Sequence, residues 1–194
     1  ARIGGTRGIV SYSWAADGKH ILVGNHEDWV ARDGAVKINT PTAKRYGSVI
    51  FTFMSEGWAQ GGINEKGLFF DAARTPYHEI YFDNTKKKFD GYFWQMVLDK
   101  AATVKEALAL INQYELPELN ETSVLLADAS GMAVVVGGHQ HQLDTYTSKG
   151  TYLMQTNYNH WHPELSEGTC WRYQKAEQLL AATPITSVDA IKNI

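Results

Sequence analysis

Apolar and polar positions along this chain follow a two-residue period at first, then a helical one, then return to strands. Residues 7 to 16 and 19 to 24 read as two short strands around Asp17-Gly18, a strong hairpin signal. "GSVIFTFM" (47 to 54) is a β-branched and aromatic run, and "GGINEKGLFFDAAR" (61 to 74) places the turn Asn64-Glu65-Lys66-Gly67 before an apolar strand. The polar stretch Thr75 to Asp90 reads as loop with room for an edge segment. From Tyr92, residues Trp94, Val97, Leu98, Val104, Ala107, Leu108 and Ile111 fall at helical spacings, with Thr103 placed as an N-cap. "TSVLLADASGMAVVVGG" then gives two strands across Asp128 to Gly131, and "TYLMQTN" (151 to 157) a third. "CWRYQKAEQLLAA" reads as a helix. "TSVDAIKNI" reads as the first turns of another, marginal without packing, so the chain is expected to stop short of a natural end. No internal repeat or low-complexity linker breaks the pattern. The order predicts an α+β domain over 1–194, with two packed sheets flanked by helices.

Composition narrows the function. The 194 residues are 44% hydrophobic and 12% aromatic, enough for a sizeable core. The net charge is −3, and the one basic run, Lys86 to Lys88, sits between acidic neighbours, so nucleic acid is a poor partner. No apolar stretch approaches the roughly 20 residues needed to cross a bilayer. The single cysteine, Cys170, excludes an intrachain disulfide. Location stays open, with a secreted or periplasmic setting slightly favoured over the cytoplasm, and a homo-oligomer is compatible with the composition.

Polar groups at strand ends mark three candidate sites: Asn25 to Asp28, "TNYNHWH" (156 to 162) and "CWRY" (170 to 173). Each has a plainer reading, since Asp28 could cap a turn, Asn157 could satisfy loop backbone and Arg172 could lie along Trp171 on a surface helix. His139-Gln140-His141 and His160-Trp161-His162 form two H-x-H pairs that could bind zinc or copper. Their spacing does not bring them together, so no metal is expected. Cys170 reads as a packed thiol between Trp171 and Tyr173 rather than a nucleophile.

Four stretches in order carry a family resemblance: "GTRGIV" (5 to 10), "GNHEDW" (24 to 29), "GGINEKGLFFD" (61 to 71) and "QTNYNHWHPE…GTCWRYQKAEQLL". Together they resemble the choloylglycine hydrolase group of N-terminal-nucleophile amidohydrolases, which includes bile salt hydrolases and penicillin V acylases. Their relatives described as linear-amide C–N hydrolases are similar above all. The resemblance implies a four-layer αββα sandwich, a small-molecule amide substrate and no cofactor. In that family an N-terminal cysteine attacks the amide carbonyl while its own α-amine, of reference pKa about 7.7–8.0, serves as base.

By resemblance, Asp28 orients that amine, Asn157 donates into the oxyanion hole and Arg172 supports the nucleophile electrostatically. Asn25 stands where many bile salt hydrolases have Arg. Arg74 falls where they have a further oxyanion-hole Asn, so only its backbone N–H could serve there. Thr6 and Trp29 flank the same groups. The departure lies at the nucleophile, which aligns with Gly5, preceded by Ala1 to Gly4. Three explanations stand open: an inactivating substitution, a natural relative that binds without turnover, or cleavage after Gly5 that exposes Thr6 as nucleophile.

Overall fold

The computed structural model describes residues 9–14, 20–26, 33–55, 57–82, 84–147, 150–162, 170–182 and 187–192. Among these the strands form two antiparallel sheets. Seven consecutive strands meander in chain order: β3 (Gly34–Asn39), β4 (Ser48–Phe53), β5 (Ala59–Asn64), β6 (Phe69–Arg74), β7 (Thr122–Ala127), β8 (Ala133–His139) and β9 (Gln142–Tyr146). The smaller sheet places β1 (Ile9–Trp14) between β2 (Ile21–His26) and β10 (Tyr152–Gln155). Helices α1 (Phe93–Lys100) and α2 (Val104–Ile111) cover the large sheet, and α3 (Trp171–Ala182) and α4 (Val188–Lys192) cover the small one.

Strand alternation decides which residue enters which layer. Leu68, Phe70, Val124, Leu126, Val134 and Val136 point to the helix side. There they pack with Phe93, Val97 and Leu98 of α1 and Val104, Ala107 and Ile111 of α2. Phe69, Leu125 and Val135, one position out of phase, face the small sheet and meet Leu153, Ile21 and Val23. On the far side of the small sheet, Met154 and Leu22 pack against Ala176 and Leu180 of α3 and Ile191 of α4. Three apolar interfaces between four layers make the αββα sandwich that the resemblance implied. Ile191 supplies the packing that so short a helix as α4 needs.

The turns that join these strands also hold the helices. Asn64 is 4% exposed; its Oδ1 accepts from the N–H groups of Lys66 and Leu68, both at 3.0 Å. Its Nδ2 donates to the carbonyls of Leu98 (2.8 Å) and Ala101 (2.7 Å), which ties the β5–β6 turn to the end of α1. Gly67 completes that turn at φ 85°, with Ala129 only 2.9 Å from where a Cβ would stand. Across the β7–β8 turn, Asp128 accepts from Ser130 N–H at 2.9 Å and from Val104 N–H at 2.8 Å, at the start of α2. Thr103 caps α2 as expected, accepting from Glu106 N–H at 3.2 Å.

Two strands were not expected from the pattern. β3 is an edge strand whose Val36 and Ile38 are exposed, so no buried face stands out in "GAVKIN". β9 is reached through a two-residue turn in which Gln140 (φ 47°) and His141 (φ 62°) both adopt positive φ without a glycine. The Thr75–Asp90 stretch has no regular strand among its described residues, only an isolated bridge from Lys87 to Tyr114. The Asp17-Gly18 turn lies outside the described residues, but the register Trp14↔Ile21 through Ile9↔His26 is the expected hairpin.

Candidate active site

Several chain segments reach one end of the layer between the sheets. In the small sheet Val10 pairs with Asn25 on one side and with Gln155 on the other, so the leading end of β1 is flanked by the last residues of β2 and β10. Strand β6 of the large sheet and helix α3 also contact β1.

The loop after β10 is folded around two buried amides. Gln155, fully buried, donates to the carbonyls of Thr156 (2.5 Å) and Tyr158 (3.4 Å). Asn159, 2% exposed, accepts from the N–H groups of Trp161 (2.9 Å) and His162 (3.0 Å). Between them stands Asn157. Arg172 Nη2 donates to Asn157 Oδ1 at 2.7 Å, and Asn157 Nδ2 donates to the Arg74 carbonyl at 2.7 Å. The guanidinium is donor-only, so it fixes which end of the Asn157 amide faces it, and the amide's NH₂ is turned to β6. Arg74 contributes backbone here; its side chain leaves for Glu121 at the surface, 3.0 Å away.

On the β2 side, Asn25 Nδ2 donates to Asp71 Oδ2 at 2.5 Å, bridging the two sheets. Asp71 is 1% exposed and two residues beyond Phe69, hence on the inner face of β6. At α3, Thr156 Oγ1 donates to Cys170 Sγ at 3.5 Å. Burial pushes the Cys170 thiol up, but hydrogen bonds from Thr156, the Tyr173 backbone and Arg172, with the Arg172 charge, outweigh it and leave the pKa below the ordinary thiol value. Cys170 is half-buried, while Trp171 beside it in the chain is 71% exposed.

Of the residues expected from sequence, the structure brings together Asn157, Arg172 and the backbone of Arg74, and sets Asn25 three residues along β6 against Asp71. Gly5, Thr6, Asp28 and Trp29 lie outside the described residues. Sequence reading missed Asp71 and Gln155. The signal for Asp71 was its spacing: a carboxylate at i+2 from a core phenylalanine in a strand shares that core face.

The histidines behave differently from their sequence spacing. His139 Nδ1 and His162 Nε2 stand 3.3 Å apart, His78 stacks on His162 at 4.5 Å between centroids, and His141 lies 5.6 Å from His78. One member of each H-x-H pair therefore does meet the other, across 23 residues. Burial, then the neighbouring imidazoles, lowers the His78 pKa. Among the described residues no three His, Cys, Asp or Glu groups are arranged to hold a metal ion. His160 turns the other way, stacking on Tyr146 at 4.2 Å beside a cavity of about 160 Å³ lined by Tyr146, Tyr152, Met154, Tyr173 and Glu177. Burial lowers its pKa to about 4, against a hydrogen bond to the Met154 backbone that raises it.

The profile of the family described as acyl-coenzyme A:6-aminopenicillanic acid acyl-transferase matches residues 33–188. Among curated proteins none matches significantly. Among solved structures, an N-acylethanolamine-hydrolyzing acid amidase ortholog from Caenorhabditis elegans superposes with a TM-score of 0.65 at 16% identity, covering 95% of this chain and 84% of that one. A mutant conjugated bile acid hydrolase from Clostridium perfringens superposes with a TM-score of 0.61 at 15% identity, covering 87% of this chain. This chain spans 57% of that hydrolase's length. At such identities the likeness establishes the fold, that of the N-terminal-nucleophile hydrolases. No described helix is long and apolar enough to cross a membrane.

Proposed function

The chain belongs to the acyl-coenzyme A:6-aminopenicillanic acid acyl-transferase family, and on that premise we propose that it carries the site of a linear C–N amide hydrolase. The observation that carries this reading is the chain of hydrogen bonds from Arg172 through Asn157 to the Arg74 carbonyl. It holds a neutral amide donor, with its cationic support behind it, at the end of β10 beside the leading end of β1. A tetrahedral intermediate formed there needs such a donor aimed at its oxyanion, already oriented before reaction.

In this reading a nucleophile at position 5 attacks the amide carbonyl, and its α-amine accepts the proton. The oxyanion collapses to an acyl-enzyme as the amine leaves with that proton. Water then attacks the acyl carbon, releasing the acid. Asp28 orients the amine, and Asp28→Asn is expected to lower turnover at least about a hundredfold, near 2.7 kcal/mol on the barrier. With glycine at position 5 the chain as it stands holds substrate without this step.

A second reading, acyl transfer to an amine rather than to water, is favoured by the name of the matching family. The same acyl-enzyme serves both, since an amine nitrogen can attack the thioester in place of water.

The test is a protein begun at residue 5 with Gly5→Cys. Amine release is assayed from N-acyl amino acids, N-acylethanolamines, conjugated bile salts and penicillin V, with and without an added amine acceptor. Release without acceptor is the expected result. Release, or exchange, only with acceptor favours the transferase. A folded protein that binds but cleaves none of them in either condition contradicts both and leaves a ligand-binding relative.

A further inference from the structure

We propose that the cavity where β9, β10 and α3 meet binds a small organic cation of the quaternary or methylated ammonium class. The proposal does not rest on the amide-hydrolase reading, since none of the residues invoked there lines this cavity. Its wall is drawn from two sheet edges and a helix. Tyr146 ends β9, at one edge of the large sheet, and Tyr152 begins β10, at one edge of the small one. Tyr173 and Glu177 stand one turn apart on α3, hence on one side of it. His160 adds its ring from the loop after β10. The volume is about 160 Å³, below the roughly 300–1,000 Å³ of pockets for drug-sized ligands. The space suits a small molecule or one headgroup.

The chemistry of the wall selects the sign of the ligand's charge. Of the lining residues, Glu177 alone carries a full charge at neutral pH. His160 adds no positive one, because burial lowers its pKa to about 4. Burial, and then the Glu177 carboxylate, push the phenols of Tyr152 and Tyr173 up, so both rings stay neutral within the field of that carboxylate. Glu177 and the hydroxyls of Tyr146, Tyr152 and Tyr173 have no hydrogen bond or ion pair among the described residues. An anion would meet this field with no cationic partner. A quaternary ammonium has no N–H to donate, so aromatic rings and a counter-charge are what recognise it. The rings are also held in place. Tyr146 stacks on His160 at 4.2 Å, Tyr173 stacks on Tyr158 at 4.6 Å, and His160 meets Tyr173 edge-on at 5.8 Å. That network fixes the wall before a ligand arrives, and little side-chain freedom is left to lose on binding. Tyr152 has no aromatic partner among the described residues, which leaves its ring for the ligand.

The experiment uses the chain as it stands, with choline as the probe. The comparison ligands are its uncharged carbon isostere, dimethylbutanol, and the dimethylbutyrate anion. NMR titration at neutral pH reads each affinity and the ring signals of Tyr152 and Tyr173. Choline is expected to bind at least about tenfold more tightly than dimethylbutanol, to shift both sets of ring signals, and to be unaffected by added dimethylbutyrate. Tyr152→Leu should weaken choline at least about fivefold, whereas Tyr152→Phe, which keeps the ring, should retain it. Glu177→Gln should weaken choline to a similar degree with the melting temperature unchanged, because the side chain is exposed. If Tyr152→Leu does not fold, Glu177→Gln decides. Equal affinity for choline and dimethylbutanol would make this an apolar cavity without charge selection and overturn the proposal. Choline binding that neither Tyr152→Leu nor Glu177→Gln weakens would place the cation elsewhere and overturn it too, as would no binding of choline at millimolar concentration.

Discussion

The two faces of the seven-stranded sheet are built by the same strands and do different work. On the helix side, Leu68, Phe70, Val124, Leu126, Val134 and Val136 form an unbroken apolar surface under α1 and α2. On the inner side, alternate residues of those strands begin the same way, with Phe69, Leu125 and Val135, and then turn polar at one end with Asp71 and Ser123, both 1% exposed. Burial is nearly equal on the two faces, so desolvation alone does not separate them. What differs is that Asp71, on the inner face, has a hydrogen-bond partner drawn from the other sheet, Asn25. Apolar packing is concentrated on the outer face, and the polar groups proposed for chemistry lie at one end of the inner one.

Substitutions that respect this division should separate folding from turnover. The largest effect is expected on the outer face. Phe70 is fully buried and stacks on Trp94 at 5.7 Å. Phe70→Ala should lower unfolding free energy by about 3–5 kcal/mol, with the kcat of whatever remains folded little changed. Denaturant titration and active-site-normalised turnover measure the two quantities; a large loss of kcat at constant folded fraction would erase the distinction. Asn157→Ala, in the Gly5→Cys background, should do the opposite. Loss of an oxyanion donor costs about 10²–10³ in kcat, roughly 2.7–4 kcal/mol. The accompanying loss of stability should stay near about 1 kcal/mol, the net worth of an ordinary hydrogen bond.

Acid should act on the inner sheet's surroundings and spare the outer face. His160 has its pKa lowered from 6.5 to about 4 by burial. Between those two values the unfolded chain binds the proton that the folded chain refuses. Stability from this group is thus complete above pH 6.5, falls as pH drops toward 4, and is level below. The whole loss is on the order of 3 kcal/mol. Unfolding measured at pH 7 and pH 4 should show that loss, and His160→Phe should flatten it. An equally steep acid loss in His160→Phe would assign the effect elsewhere, first of all to His78, whose pKa burial and its neighbours also lower. The smallest effect is at the outer helices. Thr103→Ala removes the cap of α2 and should cost about 1 kcal/mol with turnover untouched, read from thermal or denaturant melts.

The outer layer was also the more legible from sequence. Its helices repeat apolar residues at three and four positions, and Thr103 announces the start of α2 before any contact is known. "NEKGL", the best-preserved stretch of the family resemblance, belongs to this layer too. Asn64 in it holds the end of α1 and Gly67 makes the turn, so the motif marks the fold rather than the chemistry. The candidate site showed in the sequence as three polar clusters at strand ends, and roles for Asn25, Asn157 and Arg172 within it came only from the resemblance. Nothing local shows that Asn157 will meet the carbonyl of Arg74, 83 residues earlier, or that His78 will stack on His162. Such meetings depend on which sheet each strand joins, and that is a property of the whole chain. β9 was hidden for a local reason: its turn holds positive φ at Gln140 and His141 without the glycine that usually signals it.

The reading of the inner face as a site of amide chemistry is tested most directly by intact-mass and peptide mass spectrometry on the Gly5→Cys protein begun at residue 5. It is mixed with an N-acyl substrate and quenched in acid within the first turnovers. The account predicts a mass increase equal to the acyl group, located on residue 5, and reduced in step with turnover by Asn157→Ala. A folded protein that releases amine but carries its acyl group on Cys170, or that binds the substrate and never acquires the mass, would contradict it.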